Sequence, residues 1–417
     1  AYRRQRQMCI RDSHSLLDQL SYLDPQPSLA GVLTQQETKD TIKSGAYAPL
    51  ELWKADMDRR QGRALLEIVQ RIYDTVWRPR APIPQTEPLW EPRLSIGQSA
   101  VCPSAILART WLQLGMPSLA EVYMAHIRRL SPSPPKNWDE LLLDAAITCA
   151  FRHVEQGKYE HAISSLVSKN TLYQITSLSL HQQWQDAIWH VMYVRARRQN
   201  HTATLRRLEQ LCPGVHEWYE PIRSTEPTAS AWLREAQKMI HARQPHQSLE
   251  VLMKALAASE AQQLFPMRRT CLAVLADTMI MSLGMHTEAR ALLDEIFPQV
   301  LADENAERRA YVHMVLGKYF LATKELVAAR ASLRVAAQNY ECLEAWKDQA
   351  VCLYLEASVS HLLQDTEAHV NAAQRHGEVQ FRADEAHTAS CPMAPVDALE
   401  RLVCRMSERC QCSLVST

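Results

Sequence analysis

Leu283-Gly284-Met285-His286-Thr287-Glu288-Ala289 separates two apolar, helix-forming stretches, and the same break recurs along the chain. It returns as Leu114-Gly115 to Ala120, as Gln156-Gly157 to Ala162 and, with the glycine replaced, as Lys324 to Ala329. In each case a turn-permitting residue is followed five positions later by alanine, at the start of a new stretch with apolar residues three and four apart. Glycine can take the left-handed conformation that ends a helix, and alanine lets the next helix lie closely against the first. The pattern therefore predicts helix, tight turn and antiparallel helix, repeated.

Weaker breaks fall where the rhythm needs them, at Gln199-Asn200-His201, at Gln244-Pro245 and near Gln364-Asp365, so the turn positions run 115, 157, 200, 244, 284, 324 and 364. A period of about forty residues holds two helices of about fourteen to sixteen residues plus loops, longer than the tetratricopeptide unit of about 34. Small residues stand seven positions before several breaks, at Ala108, Ala150, Gly317 and Ala357, where neighbouring helices are expected to approach most closely. The fold expected is all-α, a right-handed helical solenoid of tetratricopeptide-like helix pairs.

Composition agrees. Only ten glycines occur in 417 residues, and residues 136–212 and 299–391 contain no proline, which favours helices over sheet and turn. The prolines gather near Pro79–Pro92, at Pro132-Ser133-Pro134-Pro135, and at Pro213, Pro221 and Pro227, where loops are needed. The 46 basic and 46 acidic residues balance, which disfavours a general nucleic-acid binder. The basic run Arg195, Arg197, Arg198, Arg206 and Arg207 straddles a helix–turn–helix corner and is expected to be a solvated rim. No apolar run approaches the ~18 residues of a membrane span. The most apolar segment, Cys271 to Met285, is interrupted by Asp277 and reads as a buried repeat helix.

A search for chemistry yields no phosphate loop, no His-Glu-x-x-His, no nucleophile elbow and no paired-cysteine redox motif. No catalytic, cofactor-binding or metal-ligating residue is assigned. His181 and His190 flank Trp184 and Trp189 but stand nine apart, whereas helical ligands sharing a face need spacings of three or four. Trp184, Trp189 and Tyr193 read as a buried stripe. Cys102, Cys149, Cys212, Cys271, Cys342 and Cys352 are scattered singly and read as small buried hydrophobes. In the tail, Cys391, Cys404, Cys410 and Cys412 with His387 could be imagined around zinc, but among the cysteines only Cys410 and Cys412 stand close together, and no zinc site is assigned.

Four regions are expected. Residues 1–13 resemble translated sequencing-adapter read-through, so their basic charge carries no targeting meaning; 14–100 form an irregular or helical N-terminal region. Residues 101–383 hold the repeats, and 384–417, rich in Cys and Ser, form a poorly ordered tail.

The later repeats resemble one family. The stretch Ala289 to Leu301, then Arg309 to Tyr319, Ala329 to Tyr340, and Trp346 to Leu363 with Cys352 to Ala357, is similar to the C-terminal repeat region of subunit 5 of the anaphase-promoting complex, a ubiquitin ligase of mitosis. Leu114 to Tyr123 and Asn137-Trp138-Asp139-Glu140 fit the same family, and the resemblance covers about residues 100–380. It implies a non-catalytic scaffold in the nucleus and cytoplasm, linking a cullin–RING module to other repeat subunits, without cofactor, nucleic acid, membrane or small-molecule substrate. The alternative is another tetratricopeptide-repeat adaptor or a regulatory peptide-binding protein.

Overall fold

The computed structural model describes Leu52, Lys54, Ala55, Asp58, Arg59 and residues 63–76, 101–130, 139–212, 229–390 and 393–415. Residues 1–13 and the proline clusters at Pro79–Pro92, Pro132–Pro135 and Pro213–Pro227 lie outside them. The described residues are helical, with no strand among them. They fall into two compact units, one holding those up to residue 130 together with 257–266, the other those of 139–212, 229–256 and 267–415.

The helices follow the expected breaks. After α1 (Leu65–Val76), the pairs are α2 (Val101–Gln113) with α3 (Pro117–Leu130), α4 (Asp139–Glu155) with α5 (Tyr159–Leu166), and, beyond the short α6 (Lys169–Gln174), α7 (Leu178–Arg198) with α8 (Thr202–Leu211). Then come α9 (Ala229–His241) with α10 (Pro245–Ala261), α11 (Phe265–Thr278, extended by a π-helical turn, Met279–Leu283) with α12 (His286–Ala302), and α13 (Ala306–Ala322) with α14 (Leu326–Cys342). The last are α15 (Trp346–Leu362) with α16 (Thr366–Thr388), followed by α17 (Met393–Val415).

Every break turns through a left-handed residue: Gly115, Gly157, Asn200, Arg243, Gly284, Lys324 and Gln364 all have φ between 56° and 78°. One differs from expectation by a single position, Arg243 rather than Gln244. Gln263 and Glu344 take the same conformation between successive pairs. After each clear break the expected alanine is sealed in the joint: Ala120, Ala162, Ala289 and Ala329 are all 0% exposed. The small residues seven before the breaks are buried too, and a Cβ on Gly317 would lie 2.6 Å from the Leu333 side chain. These are the sites where backbones approach.

Three expectations are corrected. Helix lengths are uneven, from 6 residues in α6 and 8 in α5 to 23 in α16. The short α5 ends because Ser168 accepts a hydrogen bond from the Thr171 N–H and starts α6 instead. Residues 384–417 contain the end of α16 and α17, whose Val403, Met406 and Cys410 are buried beside Trp184, so apolar residues at helical spacing order a segment expected to be disordered. The segment Cys271 to Met285 is buried through Ala276, but Met281 is 64% exposed where the π-helical turn rotates it outward.

In the first unit, Leu65, Ile68, Val69 and Ile72 of α1 pack with Ile106, Leu107 and Trp111 of α2 and Ala120 of α3. The Tyr73 and Tyr123 hydroxyls are hydrogen-bonded there. In the second unit the apolar residues divide into separate clusters, two confined to neighbouring pairs, on α11–α13 and on α13–α16, and one on α4–α8 that also takes in α17. Such nearest-neighbour packing is the energetic character of a stacked repeat.

Ala289→Trp is expected to overpack the α11–α12 joint and cost roughly 1–3 kcal/mol; an unchanged unfolding midpoint would place Ala289 outside the joint. His313 gives a pH test. Burial, reinforced by Arg309, lowers its pKa to about 4, and its ring packs edge-on to Phe297. The unfolded imidazole titrates near 6.5. Its contribution is therefore fully present above that value and is lost as pH falls from about 6.5 towards about 4. Melting temperatures of His313→Gln should fall less steeply than the parent's across that window, and parallel curves would contradict the assignment.

Candidate interaction surfaces

Of the residues weighed for chemistry, the tryptophans, His181, Cys271 and Cys352 are core, whereas Cys149 and Cys212 are half-buried and Cys342, expected to be buried, lies exposed at the end of α14. Trp184 and Trp189 are 0% and 1% exposed, with Tyr193 packed against the same cluster, and Trp184 Nε1 donates to the Leu166 carbonyl at 2.9 Å. His181 is buried with Nε2 3.0 Å from the Val403 carbonyl, while His190 packs against Phe151, so the two histidines have separate surroundings. Burial pushes the Cys271 and Cys352 thiols up to about 12, which keeps them protonated at neutral pH. Among the described residues no group of three or more His, Cys, Asp or Glu side chains is placed to hold a metal ion, and no helix is long and apolar enough to cross a membrane.

The arginine corner departs from expectation. It is a seam within the second unit, where α4, α5, α7 and α8 meet residues far later in the chain. Arg195 makes a two-pronged contact with Glu344, Nε to Oε2 at 2.8 Å and Nη2 to Oε1 at 3.0 Å, and Gln199 donates to the same carboxylate at 2.6 Å. Arg198 is buried; its Nη1 donates to the Val154 carbonyl and the Tyr159 hydroxyl, each at 2.8 Å, and its Nη2 reaches Glu307 at 2.5 Å. Arg207 pairs with Glu400 at 2.9 Å. Arg197 lies 3.7 Å from Glu307, its side chain still 55% exposed, and Arg206 alone keeps the expected rim position fully.

Further ties run alongside. Arg152 and Gln156 both donate to Glu304, at 2.7 Å and 3.0 Å, and the Tyr159 hydroxyl donates to the Leu343 carbonyl at 2.8 Å. The Thr202 hydroxyl donates to the His387 carbonyl at 2.9 Å. Gly157 permits the contact: at φ +78° it lies against the turn after α14, and a Cβ there would sit 2.1 Å from the Cys342 carbonyl oxygen.

Electrostatics account for the pairing. Burial opposes charge on Arg198, but Glu307 and Tyr159 outweigh it and raise its pKa. Burial likewise opposes the Glu307 carboxylate, and Arg198 and Arg197 outweigh it, so its pKa is lowered. Sequence showed the arginines but gave no sign of Glu307, Glu344 and Glu400, the partners that lie 109 to 193 residues away.

A second polar cluster joins α11 and α13. Tyr311 donates to Asp277 at 3.1 Å and Lys318 reaches both oxygens of that carboxylate at 2.9 Å and 3.0 Å. Asp348 on α15 is exposed by area, yet surrounding protein desolvates its carboxyl and, with Glu307 nearby, raises its pKa.

No protein-family model and no curated protein matches the chain. Among solved structures it is similar to a Rap protein complexed with competence and sporulation factor, at 14% identity and TM-score 0.40, over 69% of this chain and 78% of that one. The helix-pair reading rests on the chain's own turns and joints.

Gly157→Ala and Gly284→Ala separate the two demands on a turn glycine. Both place a Cβ at positive φ, costing roughly 1–2 kcal/mol, but nothing lies within 4 Å of a Cβ at Gly284. Gly157→Ala is therefore expected to lower the unfolding midpoint more, because the seam must part from the Cys342 carbonyl; equal losses would deny the close approach.

Proposed function

We propose that this chain is a non-catalytic scaffold subunit of the anaphase-promoting complex, working by bridging other protein subunits. One observation carries the scaffold reading: its described residues are helix pairs at a period of about forty residues, with a buried alanine at the joint after each clear break. Such a stack leaves long surfaces for protein contacts. The stretches that resemble subunit 5, Ala289 to Leu301, Arg309 to Tyr319, Ala329 to Tyr340 and Trp346 to Leu363, coincide with helices α12 to α15. The identification with that complex rests on this resemblance.

A second reading, a regulatory repeat protein that binds one peptide, draws on the same stacked helix pairs, since such stacks also form extended concave binding surfaces.

Affinity purification of the tagged chain, with the bound proteins identified, tests both. Cullin-type and RING-type partners are expected, and depletion of the chain should impair ligase assembly and stall chromosome separation. Recovery of one small peptide alone would select the second reading. Full assembly and activity of the ligase without this chain would exclude the first.

A further inference from the structure

The last three breaks stand exactly forty residues apart, at 284, 324 and 364, so a position in one pair has a counterpart forty residues on in the next. That register shows what covers each face. On α12, Leu293, Ile296 and Val300 are sealed in one cluster with Val312 and Val315 of α13. On the next pair, Met314, Ala336, Ala337 and Tyr340 are sealed with Ala350, Cys352 and Leu353 of α15, and Leu333 with Val359. Each pair is closed by the first helix of the pair that follows.

The final pair lacks that cover. The counterparts of Met314, Leu333, Ala336, Ala337 and Tyr340 are Tyr354, Ala373, His376, Gly377 and Gln380. Tyr354 is 59% exposed, resting its ring on His376 at 5.9 Å, and Val351, the counterpart of Tyr311, is 46% exposed. Ala373 and Gly377 are exposed, and a Cβ on Gly377 would meet nothing within 4 Å. The following helix does not close the face, since α17 inserts Val403, Met406 and Cys410 into the cluster around Trp184. A stack that ends in water needs a polar terminal face. This one exposes alanine, glycine, valine and tyrosine, the residue types of a covered joint, beside the half-buried His376 and Gln380.

We propose that the outer face of α15 and α16 is a docking surface that receives a helix from a helix-pair repeat of another protein, laid across it as α15 lies across α14. The inference deepens the scaffold reading and rests on it. The kind of partner follows from continuity with the joints already built: the covering element in each is a helix with apolar residues three and four apart, and the small residues Ala373 and Gly377 admit a close backbone. A second copy is disfavoured, because each joint pairs the outer face of one pair with the first helix of the next, and such head-to-tail contacts are not self-complementary.

The test uses the full chain, expressed in cells with its partners and carrying a photo-cross-linking amino acid at Tyr354 or Gly377, with Val122, 62% exposed on α3, as control. Cross-linked peptides are identified by mass spectrometry. Both positions should capture the same helix of one other protein, with apolar residues three and four apart, and Val122 should not. Tyr354→Glu should weaken retention of that protein roughly tenfold or more, leaving helix content, melting temperature and the other bound proteins unchanged. Capture of a second copy, capture of a non-helical segment, or no capture while other subunits co-purify overturns the docking surface and leaves the scaffold reading intact. A chain that co-purifies with no other protein overturns the scaffold reading, and the docking surface with it.

Discussion

The left-handed turn is the constraint on which the rest depends. A helix can reverse within about three residues only if one of them takes positive φ, which for a side chain other than glycine costs about 1–2 kcal/mol. Asn200, Arg243, Lys324 and Gln364 accept that strain, and Gly115, Gly157 and Gly284 avoid it. The tight turn then fixes the pairing of the two helices. It places the alanine five residues later against the preceding helix, and that close joint sets the spacing of the whole repeat.

Between successive pairs the adhesive is apolar, whereas across the seam it is largely polar. The clusters on α4–α8 and on α13–α16 have no member in common. What spans from one to the other is a row of arginine–glutamate and hydrogen-bonded contacts, several with partly exposed partners; Arg195 and Glu344 each keep 27% of their side-chain surface. Pairs of that kind contribute a fraction of a kcal/mol each and weaken in salt. The exception is α17, which adds an apolar contact on α7.

Turn positions and joint residues were legible because both are local: a glycine or its substitute and an alanine five residues apart report directly on backbone conformation and helix spacing. The seam was not legible. Arg195 and Arg198 look like any solvated arginines, since Glu344 and Glu307 are brought to them only by the stacking of the pairs between. The order of 393–415 was hidden for a related reason. Its Val403, Met406 and Cys410 find their partners on α6 and α7, and the cysteine-rich composition drew attention away from their spacing. The outer face of α15 and α16 becomes visible only when each position is compared with its counterpart one repeat earlier.

Several seam bonds end on main-chain carbonyls: Tyr159 on Leu343, Thr202 on His387, His181 on Val403. A carbonyl is present whatever side chain its residue carries. Residue 387, exposed, can therefore drift over evolutionary time without losing its contact, while Leu343 and Val403 are constrained by the apolar clusters they fill and not by these bonds. The donors have no such freedom. Paired-substitution signals between homologous sequences would record the glutamate contacts and pass over the carbonyl ones, so an ancestry-based contact map of this molecule would draw the seam thinner than it is.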